Sequence, residues 1–142
     1  MKEKTPTRSD RVAVDPETHE IYKRLSEGTD PEDVPFGELK DVFLMAACLG
    51  YAHGKRKPLA SGRRDIIRWE TFSQQADVPV LFALAIAESG DVEILDQRFE
   101  FLTIAEEYAN TGIHLIAEHV LNRRGRPLWN LVDLVQRATT SK

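Results

Sequence analysis

The sequence predicts an all-α fold, an irregular bundle of five or six helices with at most one short strand pair, near residues 66–72. Three observations predict it. Two stretches, 42–52 and 78–87, are apolar on every side, as helices surrounded by other helices are. Glycine and proline stand mostly at the ends of periodic stretches, where helices stop and start. And 142 residues, 42% hydrophobic and 30% charged, suit one globular core without disulfide staples.

The opening residues have no apolar periodicity and read as a flexible N-terminal arm, 1–14, ahead of a single helical domain, 15–142. Asp15 and Pro16 offer an N-cap and a first helical residue, and the helix runs through Ile21, Tyr22 and Leu25 to a stop at Gly28. TDPEDVP (29–35) is an acidic loop. FGELKDVFLMAACLGYAHG then carries a second helix with Phe36, Leu39, Phe43, Ala46 and Gly50 on one stripe, the candidate centre of the core. KRKPLASGRR (55–64) lacks periodicity and reads as an exposed basic loop, and IIRWETF after it fits either a helical turn or a strand.

Asp77 and Pro79 open a third, wholly apolar helix that ends near Gly90. From Gln97 to Arg124 the period is helical again, with Phe101, Ala105, Tyr108, Gly112, Leu115 and His119 along one side. Thr111-Gly112 is the expected kink or break, because glycine inside a helix costs about 1 kcal/mol relative to alanine. Gly125 ends this helix. Pro127 opens the last one, with Leu128, Leu131, Val132, Val135 and Ala138 on its apolar face. Phe43, Leu49, Leu81, Leu84 and Ile86 are expected in the core.

Composition also bounds function. MKEKTPTRSDR is charged where a secretory leader would be apolar, so the expected location is the cytoplasm. The longest uncharged apolar run, Val42 to Ala52, is far shorter than the ~20 residues of a membrane span, so no membrane partner is expected. Cys48, the single cysteine, sits in that run and reads as a small buried hydrophobe.

No catalytic or metal-binding signature occurs, whether nucleophile elbow, phosphate-binding glycine loop, CxxC pair or calcium loop, so neither an enzyme nor a cofactor is expected. His114 and His119 lie five apart and diverge by roughly 140° on an α-helix, unlike zinc-helix histidines four apart. The ordinary reading of His114 and Glu118 is an i,i+4 pair. TFSQQADVPVLFALAIA has the outline of a helix-turn-helix, but its second helix has no polar side chains for base edges.

The charge is segregated despite a net value of only -4. Residues 15–41 hold nine acids against three bases, and residues 88–107 seven acids against one. Between them, residues 53–68 hold six bases against Asp65. That segment is the candidate nucleic-acid surface: Lys55, Arg56, Lys57, Arg63, Arg64 and Arg68, joined by Arg123, Arg124 and Arg126. Without interleaved aromatics it suits phosphate contact on double-stranded DNA rather than base readout.

Three segments, FGELKDVFLMAACLGYAHGKRKPL, FALAIAESGDVEILD and IAEEYANTGIHLI, together resemble the Dnd (DNA phosphorothioation) system-associated protein 4 family across residues 36–117. The resemblance implies a bacterial protein working beside machinery that replaces a phosphate oxygen by sulfur in DNA, or that restricts DNA lacking the mark. It carries over no site residue. The expectation is therefore a non-enzymatic accessory protein of a phage-defence modification and restriction system. Its basic loop would contact DNA or a DNA-bound partner from the same system. The alternative is a protein-interaction adaptor or homodimer without nucleic-acid binding.

Overall fold

The computed structural model describes residues 11–140, which form five helices and one two-stranded antiparallel sheet. In chain order these are β1 (Arg11–Val14), α1 (Pro16–Ser26), α2 (Leu39–His53), β2 (Arg64–Arg68), α3 (Asp77–Ser89), α4 (Arg98–Ile116) and α5 (Pro127–Thr140). Short 3-10 turns follow β2 and α3, and a single π-turn, Ala117–Leu121, continues α4.

The all-α expectation holds, with the strand pair present but assembled differently. Its first strand comes from residues assigned to the arm. Val12, Ala13 and Val14 are buried, and they pair with Arg64–Ile67 with a bulge between Val12 and Ala13. The arm reading is thus corrected for 11–14, while residues 1–10 lie outside the described residues. Four residues are too few to show a period, and their partners are 50 to 57 positions away. IIRWETF divides: Ile66, Ile67 and Arg68 end β2, and Trp69–Thr71 form a 3-10 turn.

The core is built around the crossing of α2 and α4. Phe43, Ala46 and Ala47 of α2 and Leu102, Ala105 and Ala109 of α4 are all at most 1% exposed. The crossing is closest at two glycines. A Cβ on Gly50 would stand 1.9 Å from the Tyr108 carbonyl oxygen, and one on Gly112 1.7 Å from that of Ala46. Gly112 therefore does not break α4, which runs as one helix from Arg98 to Ile116. It lets two backbones touch, which no side chain permits.

Other expectations shift by smaller amounts. Phe43, Leu49, Leu81 and Leu84 are buried, whereas Ile86 is half-buried. On α5 the packed side is Leu131 and Leu134, and Val132 faces outward. Cys48 is exposed rather than buried, because α3 covers only part of α2's outer face. Partial burial among apolar neighbours pushes its thiol up, away from reactivity. No helix among the described residues is long and apolar enough to cross a membrane.

Candidate nucleic-acid interface

The loop between α2 and β2 holds most of the expected cations, and α4 fixes its shape. Gly54 ends α2 in the left-handed conformation at φ 80°, turning the chain back across α4. There the segment Glu106-Glu107-Tyr108-Ala109-Asn110 meets it. Asn110 donates through Nδ2 to the carbonyls of Lys57 and Pro58 at 3.1 and 3.4 Å, and to Asp15 Oδ2 at 3.1 Å. The Asp15 carboxylate also accepts from the Ala60 N–H at 2.7 Å, and the Lys57 N–H donates to the Glu107 carbonyl at 3.0 Å. Asp15 precedes α1 as expected, yet its side chain caps nothing there and holds the loop instead.

Two arginines complete the attachment. Arg56 donates to Glu107 Oε1 at 3.0 Å and to Glu88 Oε2 at 2.9 Å, and lies 6.0 Å from the centre of the Tyr108 ring. The Tyr108 hydroxyl donates to the other Glu88 oxygen. Arg63 reaches Glu106 Oε1 at 2.7 Å, while Glu106 Oε2 accepts the Ala13 N–H at 2.7 Å. Glu106 is 2% exposed, so one buried carboxylate ties the loop, β1 and α4 together.

These contacts set proton affinities. Glu88 is held below its ordinary 4.5 by the Tyr108 hydroxyl and then by Arg56, whereas burial and Glu88 push Tyr108 up to about 12. A depressed carboxylate stabilises the fold fully above its ordinary value, and that contribution is lost as pH falls through the lower folded value. The Tm difference between the parent and Glu88→Gln should therefore be constant from neutral pH down to about pH 5, and should shrink below it. A difference independent of pH down to about pH 2 would show that Glu88 does not titrate in this pairing.

The nine cations expected on the nucleic-acid surface divide into two groups. Arg56 and Arg63 are committed to the loop's attachment, and Arg68 lies 3.8 Å from Glu70. Lys55, Lys57 and Arg64 are exposed, with no ion pair among the described residues. Lys57 Nζ does lie 3.4 Å from His114 Nε2, and burial and this ammonium hold His114 below its ordinary value. Arg123, Arg124 and Arg126 form a second cluster at the start of α5. Arg126 binds Asp30 at 2.6 Å and Glu32 and Asp33 at 3.2 Å, and Arg123 lies 3.5 Å from Asp133. Arg124 is exposed.

The decisive residues were absent from the sequence-based candidates. Asp15, Glu106 and Asn110 carry no signature, but Glu106, Asn110 and His114 recur at four-residue spacing along one face of α4, a pattern that calls for a polar partner. Among the described residues no three His, Cys, Asp or Glu side chains converge as a metal site would require.

The profile of one family, described as DNA sulphur modification system-associated protein 4, matches residues 11–142, which includes β1 and α5, outside the segments quoted for the resemblance. No curated protein and no solved structure matches the chain.

Proposed function

The chain belongs to the DNA sulphur modification system-associated protein 4 family, and from that premise we propose a non-enzymatic accessory protein that rests on the DNA backbone through Lys55, Lys57 and Arg64. One observation carries this reading. Three buried polar side chains, Asp15, Glu106 and Asn110, hold in place a loop that gives the core little beyond half-buried Leu59. Fixing a loop's shape at the cost of burying carboxylates suits a loop whose shape is used. The same commitment supports the absence of catalysis, because these groups are already satisfied by internal partners.

The test separates presentation from attachment. Replacing Lys55, Lys57 and Arg64 together by Ser should weaken binding to random duplex DNA and flatten the log–log salt slope by about 2–3 units, at roughly -0.9 per phosphate. Melting should move by no more than about 0.5 kcal/mol, since exposed charges contribute little to folding. Arg56 and Arg63 are expected to behave otherwise, because their ion pairs with Glu88, Glu107 and Glu106 attach the loop to α3 and α4. Unchanged DNA affinity in a folded triple variant would overturn the reading.

A second reading is favoured by an apolar groove between α2 and α3, lined by Cys48, Tyr51, Pro79, Val80, Ala83 and Ala87. α3 has no charged residue from Val78 to Ala87, yet Val80 is 37% exposed. An adaptor for another protein of the system, or a homodimer, would use such a face. It takes the lead if the parent shows no affinity for DNA at low salt.

A further inference from the structure

A cleft of about 360 Å³ opens where the end of α2, the end of α4 and α5 meet. Its size is within the range of small-ligand sites. Leu49, Leu115 and Leu134 make the aliphatic walls, and His53, His119 and Arg137 supply the polar lining, with no carboxylate among the lining residues. Three elements contribute one basic side chain each.

His119 stands four residues after Leu115 and so lies on the same side of the chain, within the π-turn that continues α4. Here Asn122 N–H donates to the Ala117 carbonyl at 2.9 Å, a turn one residue wider than α-helical. Such turns recur where a helix places a functional side chain. Arg137 is anchored from one side only, with Nε and Nη2 on Asp133 Oδ2 at 3.1 and 3.0 Å, which leaves the Nη1 donors. His53 ends α2, two residues before Lys55, so the cleft adjoins the start of the basic loop.

We propose that this cleft takes a phosphorothioate diester, a monoanion with one soft, poorly hydrated face. Phosphate and phosphorothioate carry the same charge. The sulfur is larger and more polarisable than the oxygen it replaces and loses less hydration against aliphatic carbon, whereas an oxygen seated on the leucines would lack a donor. The remaining oxygen takes the imidazole and guanidinium N–H groups as donors. The assignment rests on the reading that the protein works at DNA, and it names the chemical group recognised there.

The test uses small probes first. Diethyl thiophosphate and diethyl phosphate are titrated separately into the ¹⁵N-labelled protein. The thiophosphate should shift amides at 49–53, 115–119 and 134–138, binding roughly tenfold more tightly than the phosphate. His119→Leu and Arg137→Ala, both outside the core, should each weaken thiophosphate binding until those shifts are lost while the variants melt like the parent. Equal shifts from both probes, shifts confined to other residues, or no shifts would overturn the assignment.

Duplexes with and without a single phosphorothioate linkage then separate the two proposals. The triple variant of the basic loop should weaken both equally, and the cleft variants only the preference. Binding of both duplexes with no preference overturns the cleft assignment alone. Probe binding in the cleft without duplex binding overturns the DNA-contact reading alone.

Discussion

Gly112→Ala should be the most damaging single methyl group that can be added to this protein. The new carbon would lie 1.7 Å from the Ala46 carbonyl oxygen and 2.9 Å from the Ala46 Cα. Both are backbone atoms that no rotamer change can move. Relief requires α2 and α4 to separate, which opens gaps beside Phe43, Ala46, Leu102 and Ala109, all fully buried or nearly so. Overpacking ordinarily costs about 1–3 kcal/mol, and a backbone-to-backbone clash at the centre of the core belongs at or above the upper end. The expected fall in melting temperature is roughly 10 °C or more. Gly50→Ala should behave alike, since its added carbon meets the Tyr108 carbonyl at 1.9 Å. Gly37→Ala, with nothing within 4 Å of the new carbon, is the control and should stay within about 0.5 kcal/mol of the parent. Near-parental melting of Gly112→Ala would mean that the two helices do not cross at these glycines.

The second large effect is expected at Glu106. Glu106→Ala removes the partner of Arg63 and the acceptor of the Ala13 N–H, and leaves a gap at a site that is 2% exposed. An unmet buried donor costs about 1–3 kcal/mol, and removing one member of a buried ion pair up to about 5. The Arg63 side chain is 42% exposed and can turn to water, so the sum should lie near 2–4 kcal/mol. Amide exchange adds a positional readout. Ala13 and the loop around Ala60 should lose protection well beyond the global change, because Glu106 holds β1 and the loop together. A uniform loss across all five helices would show that Glu106 acts only through global stability.

Much of the architecture was legible because caps and apolar runs are local. Asp15-Pro16, Gly54, Gly90 and Pro127 each lie within two residues of a helix end, whereas Gly125, expected to end α4, stands four residues beyond the π-turn that closes it. What was not legible depends on distance. RVAV gave no strand signal, since half of a two-stranded sheet has no reason to be extended until the other half, 50 to 57 residues on, lies beside it. Gly112 read as a helix breaker because its compensation, contact with Ala46, comes from another helix. The basic loop read as uniformly solvated for the same reason. Arg56 and Lys55 are chemically alike and adjacent, and only the position of Glu88 and Glu107 makes one an anchor and leaves the other exposed.

The ion pairs of this fold also say something about how the chain finds its shape. Acidic and basic residues are sorted into blocks along the sequence and matched in space: Arg56 with Glu88 and Glu107, 32 and 51 residues on, Arg63 with Glu106, 43 residues on, and Arg126 with Asp33 and Asp30, 93 and 96 residues back. In a collapsed but unfolded chain, opposite blocks attract over about 10 Å at 0.1 M salt, well before any side chains interlock. The attraction favours the long-range encounters that cost the most loop entropy, with loop against α4 and acidic turn against α5. Charge segregation thus acts as a coarse address system, directing distant parts of the chain to one another before packing fixes their positions.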